Sequence, residues 1–167
     1  SNANNNGTVA VSNSTNGEIL FVPVKRLEDN KDMYMMLQSV PLGSGRTNVG
    51  IYYKALETLA DFVNPDSIAK NWDGRHQSSF LGSAYSTMCW QADSTLAFVY
   101  EEETHRNSGS GGYTIVYKNY SIEQITDSAF AYNPEAKASD VVMAGIDALK
   151  IEAGEGKYVG EYKEEAV

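Results

Sequence analysis

The chain has few of the residues on which metal sites and disulfide frameworks depend. Its 167 residues include one cysteine, Cys89, and two histidines, His76 and His105. One cysteine cannot form an internal disulfide, and these three residues are too few and too far apart to predict a metal site. We therefore expect no metal and no cofactor. Because Cys89 lies between Met88 and Trp90 in a strand-like segment, we interpret it as a buried structural thiol.

Positive charge and long apolar runs are also scarce. The chain has 13 Lys and Arg against 22 Asp and Glu, which gives a formal net charge of −9. An acidic chain repels phosphate backbones, so the composition argues against nucleic acid as a partner. No apolar run approaches the roughly 18 residues that a membrane-spanning helix requires, so we expect no membrane span.

The chain is instead rich in tyrosine and in short apolar runs of β type. It contains 11 Tyr, and residues of this kind favour half-exposed strands. From residue 8 to about residue 126, short strand-like runs follow one another with turn signals between them. This pattern predicts a mostly β fold, as a sandwich, a barrel or propeller blades. The predicted strands cover residues 8–12, 18–24, 32–39, 47–54, 82–91, 95–100 and 113–118.

The remaining segments are less regular. Residues 55–63 fit either a short helical turn or a strand followed by a loop, and residues 67–77 end in a polar loop. Residues 121–128 predict a short helical turn. After residue 127 the composition shifts towards Ala, Glu and Lys.

The predicted boundaries follow from these shifts. Residues 1–3, Ser-Asn-Ala, resemble the remnant of a cleaved expression tag, and residues 4–126 form the β unit. Residues 127–167 form a linker and a helical tail that resembles the start of a small helical module. Val141, Val142, Ile146 and Leu149 recur there at helical spacing.

Three side chains have a plain and a chemical interpretation. Taken alone, Arg46 fits a solvated surface arginine, Tyr85 a strand tyrosine with an exposed hydroxyl, and Glu101 a charged loop entrance. In the chemical interpretation, Arg46 binds a carboxylate through its planar fork of donors. Tyr85 acts as a nucleophile or acid, although a phenol with a pKa of about 10 needs a carboxylate to take its proton.

Four segments in order resemble the last part of the catalytic domain of bacterial sialidases, the exo-α-sialidases of glycoside hydrolase family 33. They are MYMMLQSVPLGSGRTNVGIYYKAL, SSFLGSAYSTM, STLAFVYEE and GGYTIVYKNYSIEQIT, within about residues 17–126. The first contains Ser-x-Pro, a short loop and Arg-x-Asn, with Arg46 at the arginine. The second contains Ala-Tyr-Ser, with Tyr85 at the tyrosine, and the third ends a strand in Tyr-Glu at Glu101.

The resemblance implies a role for each of these residues. Arg46 is the third arginine of a triad that grips the sialic acid carboxylate, and Tyr85 is the nucleophile. Glu101 orients the first arginine of that triad. The implied fold is a six-bladed β-propeller, the implied partners are sialylated glycans, and the implied location is secreted, periplasmic or on the bacterial cell surface.

The resemblance also implies that this chain carries part of a site. The family's other two arginines, its aspartate acid/base and the glutamate base for the tyrosine all precede Arg46, where no matching motif stands. At roughly 40–50 residues per blade, residues 8–126 supply about half of a six-bladed ring. We expect a carboxy-terminal portion of the propeller that is inactive by itself and that can self-associate through open blade edges.

Two other interpretations remain open. The chain can be a sialidase-like β-domain that binds acidic glycans without cleaving them, or a structural β-domain with a helical tail. Geometry separates the last of these from the first two, because side chains that share a ligand must converge within a few ångströms.

Overall fold

The computed structural model describes residues 15–43, 45–62, 67–68, 71–103, 112–137, 142–144 and 146. The predicted strand at residues 8–12 and most of the predicted tail lie outside these ranges. Within them the chain is mostly β, as the sequence predicts, and its strands form two antiparallel sheets. None of the helices in this part of the chain has the length and apolar character that crossing a bilayer requires.

The larger sheet has five strands in the order β4-β3-β2-β1-β8. Its central strand β2 is buried along most of its length, because its two faces contact different partners. The strands are β1 Ile19–Arg26, β2 Lys31–Pro41, β3 Val49–Leu56, β4 Gly74–Gln77 and β8 Phe130–Tyr132.

The smaller sheet has three strands, β5 Ser83–Trp90, β6 Leu96–Glu103 and β7 Tyr113–Tyr120, in chain order. The predicted hairpin turn after β5 is confirmed, since the amide of Gln91 donates to the carbonyl of Thr95 at 2.8 Å. Ser94 takes a positive φ of 65° there. Because β-strands alternate, Leu96, Phe98 and Tyr100 face inwards together, as predicted.

The main core lies between the two sheets. One face of β2, with Met33, Met35 and Leu37, packs towards the inner face of the small sheet, with Met88 and Phe98. A short helix, α1 Ile122–Ile125, closes one side of this core with both of its isoleucines. Each fully buried side chain of this size contributes about 1.5–3 kcal/mol through removal of apolar surface from water.

The opposite face of β2 carries a second apolar cluster. Met36 on β2 and Leu56 on β3 contact Val142 and Ile146, which are 1% and 0% exposed. Residues 142–144 and 146 are helical. The predicted helix is therefore confirmed at these residues, with Val142 and Ile146 on its buried face, whereas Val141 and Leu149 lie outside the described residues.

Two short strands differ from the sequence-based expectation. β4 lies in the segment that we predicted as a polar loop, and β8 lies beyond residue 126, where it pairs with β1. Both are edge strands of four and three residues. Strands of three or four residues are too short to show a clear apolar alternation. Pairing with one neighbouring strand is enough to hold them. Residues 55–62 combine both alternatives, because β3 continues to Leu56 and a 3₁₀ helix covers Leu59–Phe62.

The prediction of a buried Cys89 is wrong. The side chain is exposed. Alternation along β5 turns Met88 into the core and Cys89 to the opposite face of the small sheet.

Candidate functional site

Arg46 lies on the short segment that joins β2 to β3, and this segment is tied to the start of β5. The carbonyl oxygen of Arg46 accepts a hydrogen bond from the amide of Ser83 at 2.8 Å. Thr47 forms an antiparallel bridge with Gly82, and the amide of Asn48 donates to the carbonyl of Leu81 at 2.9 Å. The backbone of the Arg46 segment is therefore placed by the strand that carries Tyr85.

Tyr85 lies in a β-bulge. Ser83 pairs with Glu102 and Ser86 pairs with Tyr100, so Ala84 and Tyr85 together face the single residue Glu101. A bulge adds one residue to its strand and changes the direction in which side chains point. Ala84 is 1% exposed, whereas Tyr85 is 44% exposed and projects from the outer face of the small sheet.

The three predicted site residues converge at this bulge. The guanidinium carbon of Arg46 lies 5.2 Å from the centre of the Tyr85 ring, over its face. A carboxylate oxygen of Glu101, Oε2, accepts a hydrogen bond from the Tyr85 amide at 3.3 Å. A cation over an aromatic face is attracted by the ring electrons, so the arrangement holds Arg46 close to the phenol. Arg46 and Glu101 therefore each contact Tyr85.

Glu101 has a partner that the sequence does not indicate. The resemblance gives it the task of orienting an arginine, whereas here its carboxylate bonds to the backbone of the bulge. Its neighbour Glu103 is exposed, and its carboxylate lies over Gly82, where a Cβ atom would come within 2.5 Å of Oε2. Gly82 thus leaves room for a second carboxylate beside the site.

Two buried serines connect the sheets beneath Tyr85. The hydroxyl of Ser86 donates to Oγ of Ser39 at 3.0 Å, and the two residues are 4% and 1% exposed. Oγ of Ser39 also accepts from the amide of Glu18 at 2.8 Å. Both serines belong to the recognised motifs, yet the sequence assigns no role to either hydroxyl.

Glu18 and Thr87 are further neighbours that sequence reasoning missed. The hydroxyl of Thr87 donates to Oε2 of Glu18 at 2.8 Å, two residues along β5 from Tyr85. Residues two apart in a strand share a face, so this carboxylate lies on the same side of the sheet as the phenol. The pattern that could have identified Thr87 is the alternation of β5 itself.

A separate charged cavity of about 450 Å³ lies near the opposite end of the large sheet. Two of its lining residues, Arg26 and Glu57, form an ion pair, and further ion pairs join Arg26 to Asp29 and Glu57 to Lys31 at 2.9 Å. The hydrogen bond from Arg26 lowers the pKa of Asp29 to about 2. These pairs join the β1–β2 turn to the end of β3.

Among the described residues, no group of three or more His, Cys, Asp or Glu could hold a metal ion.

Tyr100 is the inward neighbour of the site on β6, and its titration is perturbed. Burial, followed by the charge of Glu102 and by Tyr120, raises the pKa of Tyr100 from 10.0 to about 12. Its hydroxyl donates to the carbonyl of Ser78 at 3.2 Å. The phenol therefore keeps its proton in the folded chain at a pH where the unfolded chain has lost it.

This difference predicts a specific alkaline weakening of the fold. Below the unfolded pKa of about 10 the contribution of Tyr100 to stability is constant. Between about pH 10 and about pH 12 the unfolded state ionises first, so the free energy of unfolding decreases as the pH rises. In Tyr100→Phe this part of the decrease should be absent. Urea unfolding from about pH 8 to about pH 12 tests it, and equal slopes for the two proteins would contradict it.

A scan against protein-family models found no match to the chain, and a search of the curated proteins found none either.

Proposed function

We propose that this chain is the carboxy-terminal part of the catalytic domain of an exo-α-sialidase, which removes terminal sialic acids from glycoconjugates. Its two sheets are then consecutive parts of a six-bladed β-propeller. The observation that supports the proposal is the convergence of Arg46, Tyr85 and Glu101 at one bulge. Three residues separated by up to 55 positions (101 − 46) meet there, and they are the three that the motif order singles out.

Arg46 supplies the recognition of the substrate. The guanidinium presents parallel N–H donors that match the two oxygens of a carboxylate. Sialic acid carries a carboxylate on its anomeric carbon. Binding that group at Arg46 brings the anomeric carbon towards the adjacent phenol and selects acidic sugars over neutral ones.

Tyr85 supplies the nucleophile, a known exception to the usual pair of carboxylates in glycoside hydrolases. Its phenolic oxygen forms a bond to the anomeric carbon while the glycosidic bond to the leaving sugar breaks. The phenol proton passes to a base, and the leaving oxygen receives a proton from an acid. Water then cleaves the glycosyl–tyrosine bond. A neutral phenol approaches the substrate carboxylate without the like-charge repulsion that an aspartate would meet.

Glu101 keeps the bulge in place. By accepting a hydrogen bond from the Tyr85 amide it holds the backbone from which the phenol projects. In the proposal its carboxylate also orients an arginine of the triad. The acid, the base and the other two arginines belong to the preceding part of the catalytic domain in this proposal. We therefore propose that the isolated chain is inactive and that the complete protein acts outside the cytoplasm, where sialylated glycans are found.

A mechanism-based sialoside tests the proposal. A 3-fluorosialosyl fluoride leaves a stable glycosyl–tyrosine adduct where a tyrosine is the nucleophile, because fluorine beside the anomeric carbon slows the second step. In the complete protein, mass spectrometry should find the adduct on the peptide that contains Tyr85. An adduct on another residue would refute the assignment. Binding of sialosides without turnover or adduct would favour the glycan-binding alternative.

Turnover by the isolated chain is the companion measurement. A fluorogenic sialoside should give no signal above background with this polypeptide, because the acid, the base and two arginines are absent. Sialidase activity that co-purifies with this polypeptide would contradict the prediction that the isolated chain is inactive.

Self-association is expected at β7. Within the described part of the chain, β7 has a neighbour on one side alone, and Ile115 is 65% exposed. A long, apolar edge strand invites pairing with another strand. Light scattering should show a mass that rises with concentration, and Ile115→Lys should abolish the rise. Leu27→Lys, at a residue 43% exposed in the turn that follows β1, is the control. A monomer at every concentration would contradict the prediction.

A further inference from the structure

We propose that Ser86, through its buried hydrogen bond to Ser39, is a positioning residue that holds the Tyr85 ring against the Arg46 guanidinium. The inference rests on the proposed function, because it concerns the placement of the phenol that function uses. It adds a role that neither the motif nor the proposed chemistry assigns.

The hydrogen bond lies at the polar end of the interface between the sheets. Ser39 follows Met35 and Leu37 on the face of β2 that packs against the small sheet, and Ser86 shares the inner face of β5 with Met88. The donor–acceptor distance is 3.0 Å, and water has almost no access to either residue. A buried hydroxyl of this kind is costly to leave without a partner, so the pair holds one geometry.

Because Tyr85 lies in a bulge, the hydrogen bond between Ser86 and Ser39 affects the direction of its side chain. A bulged residue lacks the regular ladder bonds on both sides, so its side chain direction depends on how the flanking residues are held. On one flank, the amide of Ser83 donates to the Arg46 carbonyl at 2.8 Å, and its hydroxyl accepts from the Val49 amide at 2.9 Å. On the other flank, Ser86 is bonded to Ser39. Tyr85 therefore projects from a backbone held on both flanks.

Ser83 and Ser86, on the two sides of the bulge, are both bonded to residues at or near the segment that joins β2 to β3. Ser39 lies near the end of β2, and the segment that follows β2 carries Arg46. The bond from Ser86 thus joins the strand of the phenol to the strand that leads to the guanidinium. Loss of that bond should let the Tyr85 ring move relative to Arg46 while the Arg46 segment keeps its own backbone bonds.

The first experiment measures geometry in this chain without reference to activity. NMR nuclear Overhauser contacts between the Tyr85 ring protons and the Arg46 side chain are expected in the unaltered protein. They should weaken or disappear in Ser86→Ala, which leaves Ser39 Oγ with its bond from the Glu18 amide. Thr126→Val is the control, because it also removes a buried hydroxyl, bonded to the Ile122 carbonyl at 2.8 Å, on another element. Unchanged contacts in Ser86→Ala would overturn the proposal.

The second experiment measures kinetics in the complete enzyme. Misplacement of a nucleophile by about 1 Å can lower the rate about 100-fold, so kcat of Ser86→Ala should fall by up to that factor. KM should change less than about two-fold, since Arg46 still binds the carboxylate. Ser86→Cys, which restores a weak donor of similar size, should recover part of kcat.

The outcomes separate the two proposals. A kcat in Ser86→Ala equal to that of Thr126→Val, in an enzyme that Tyr85→Phe inactivates, overturns the positioning role and leaves the proposed function standing. Full turnover by Tyr85→Phe overturns the proposed function, whereas the placement of the Tyr85 ring by Ser86 is decided by the NMR contrast.

Discussion

Replacing Phe98 by alanine is expected to lower the free energy of unfolding by about 3–5 kcal/mol. Phe98 is 0% exposed and lies at the centre of the core between the sheets. Its ring centre is 5.1 Å from that of Tyr100 and 6.4 Å from that of Tyr120. Truncation removes the apolar contacts of the ring and leaves a cavity that these neighbours can fill only in part.

The size of this effect matters because domains are stable by only about 5–15 kcal/mol. A urea unfolding series should show a strongly lowered midpoint for Phe98→Ala. The control is Leu27→Ala, at a residue 43% exposed in the turn that follows β1, where a change within about 0.5 kcal/mol is expected. Equal midpoints for the two variants would mean that the two sheets do not share this core.

The strands that form this core are those the sequence predicts best. β2, β3, β5, β6 and β7 all begin and end within a few residues of their predicted bounds, because each is a short run of apolar, aromatic or β-branched residues with turn signals beside it. The inward set on β6 follows directly from alternation. Val142 and Ile146 are predictable for the same reason, at helical period.

The elements that the sequence does not reveal owe their structure to neighbours. β8 has three residues and exists because β1 offers its edge. Cys89 looks buried beside Met88 and Trp90, and its exposure depends on which face of the small sheet is covered. That is a property of the packing of two sheets, which no local pattern encodes.

The candidate site also has a part that the sequence predicts and a part that only the fold reveals. The order of the motifs brings Arg46, Tyr85 and Glu101 to attention, and their convergence is a result of the fold. The bulge at Ala84 and Tyr85 leaves no mark in the sequence, since it arises from the register between β5 and β6. The hydrogen bonds of Ser39, Ser86 and the Glu101 carboxylate likewise depend on pairings across 16 to 47 positions.

Exchange of the phenol and of the guanidinium should have different kinetic signatures in the complete enzyme. Tyr85→Phe keeps the ring against Arg46 and removes the attacking oxygen, so kcat should fall about 10³-fold or more while KM changes little. Arg46→Lys keeps the positive charge and loses the bidentate fork, so KM should rise and kcat/KM should fall about 100-fold.

A third variant shows whether these losses are specific to the site. Glu102→Gln alters a carboxylate next to Glu101 that has no role in the proposed chemistry, and its kcat/KM should stay within about two-fold of the unaltered enzyme. Steady-state rates with a fluorogenic sialoside, together with circular dichroism of each variant, measure all three. The expected result is that Tyr85→Phe mainly lowers kcat, whereas Arg46→Lys mainly raises KM. If Arg46→Lys lowered kcat alone, the guanidinium would act on the transition state and not on the bound carboxylate, and the assignment of Arg46 as the carboxylate clamp would be wrong.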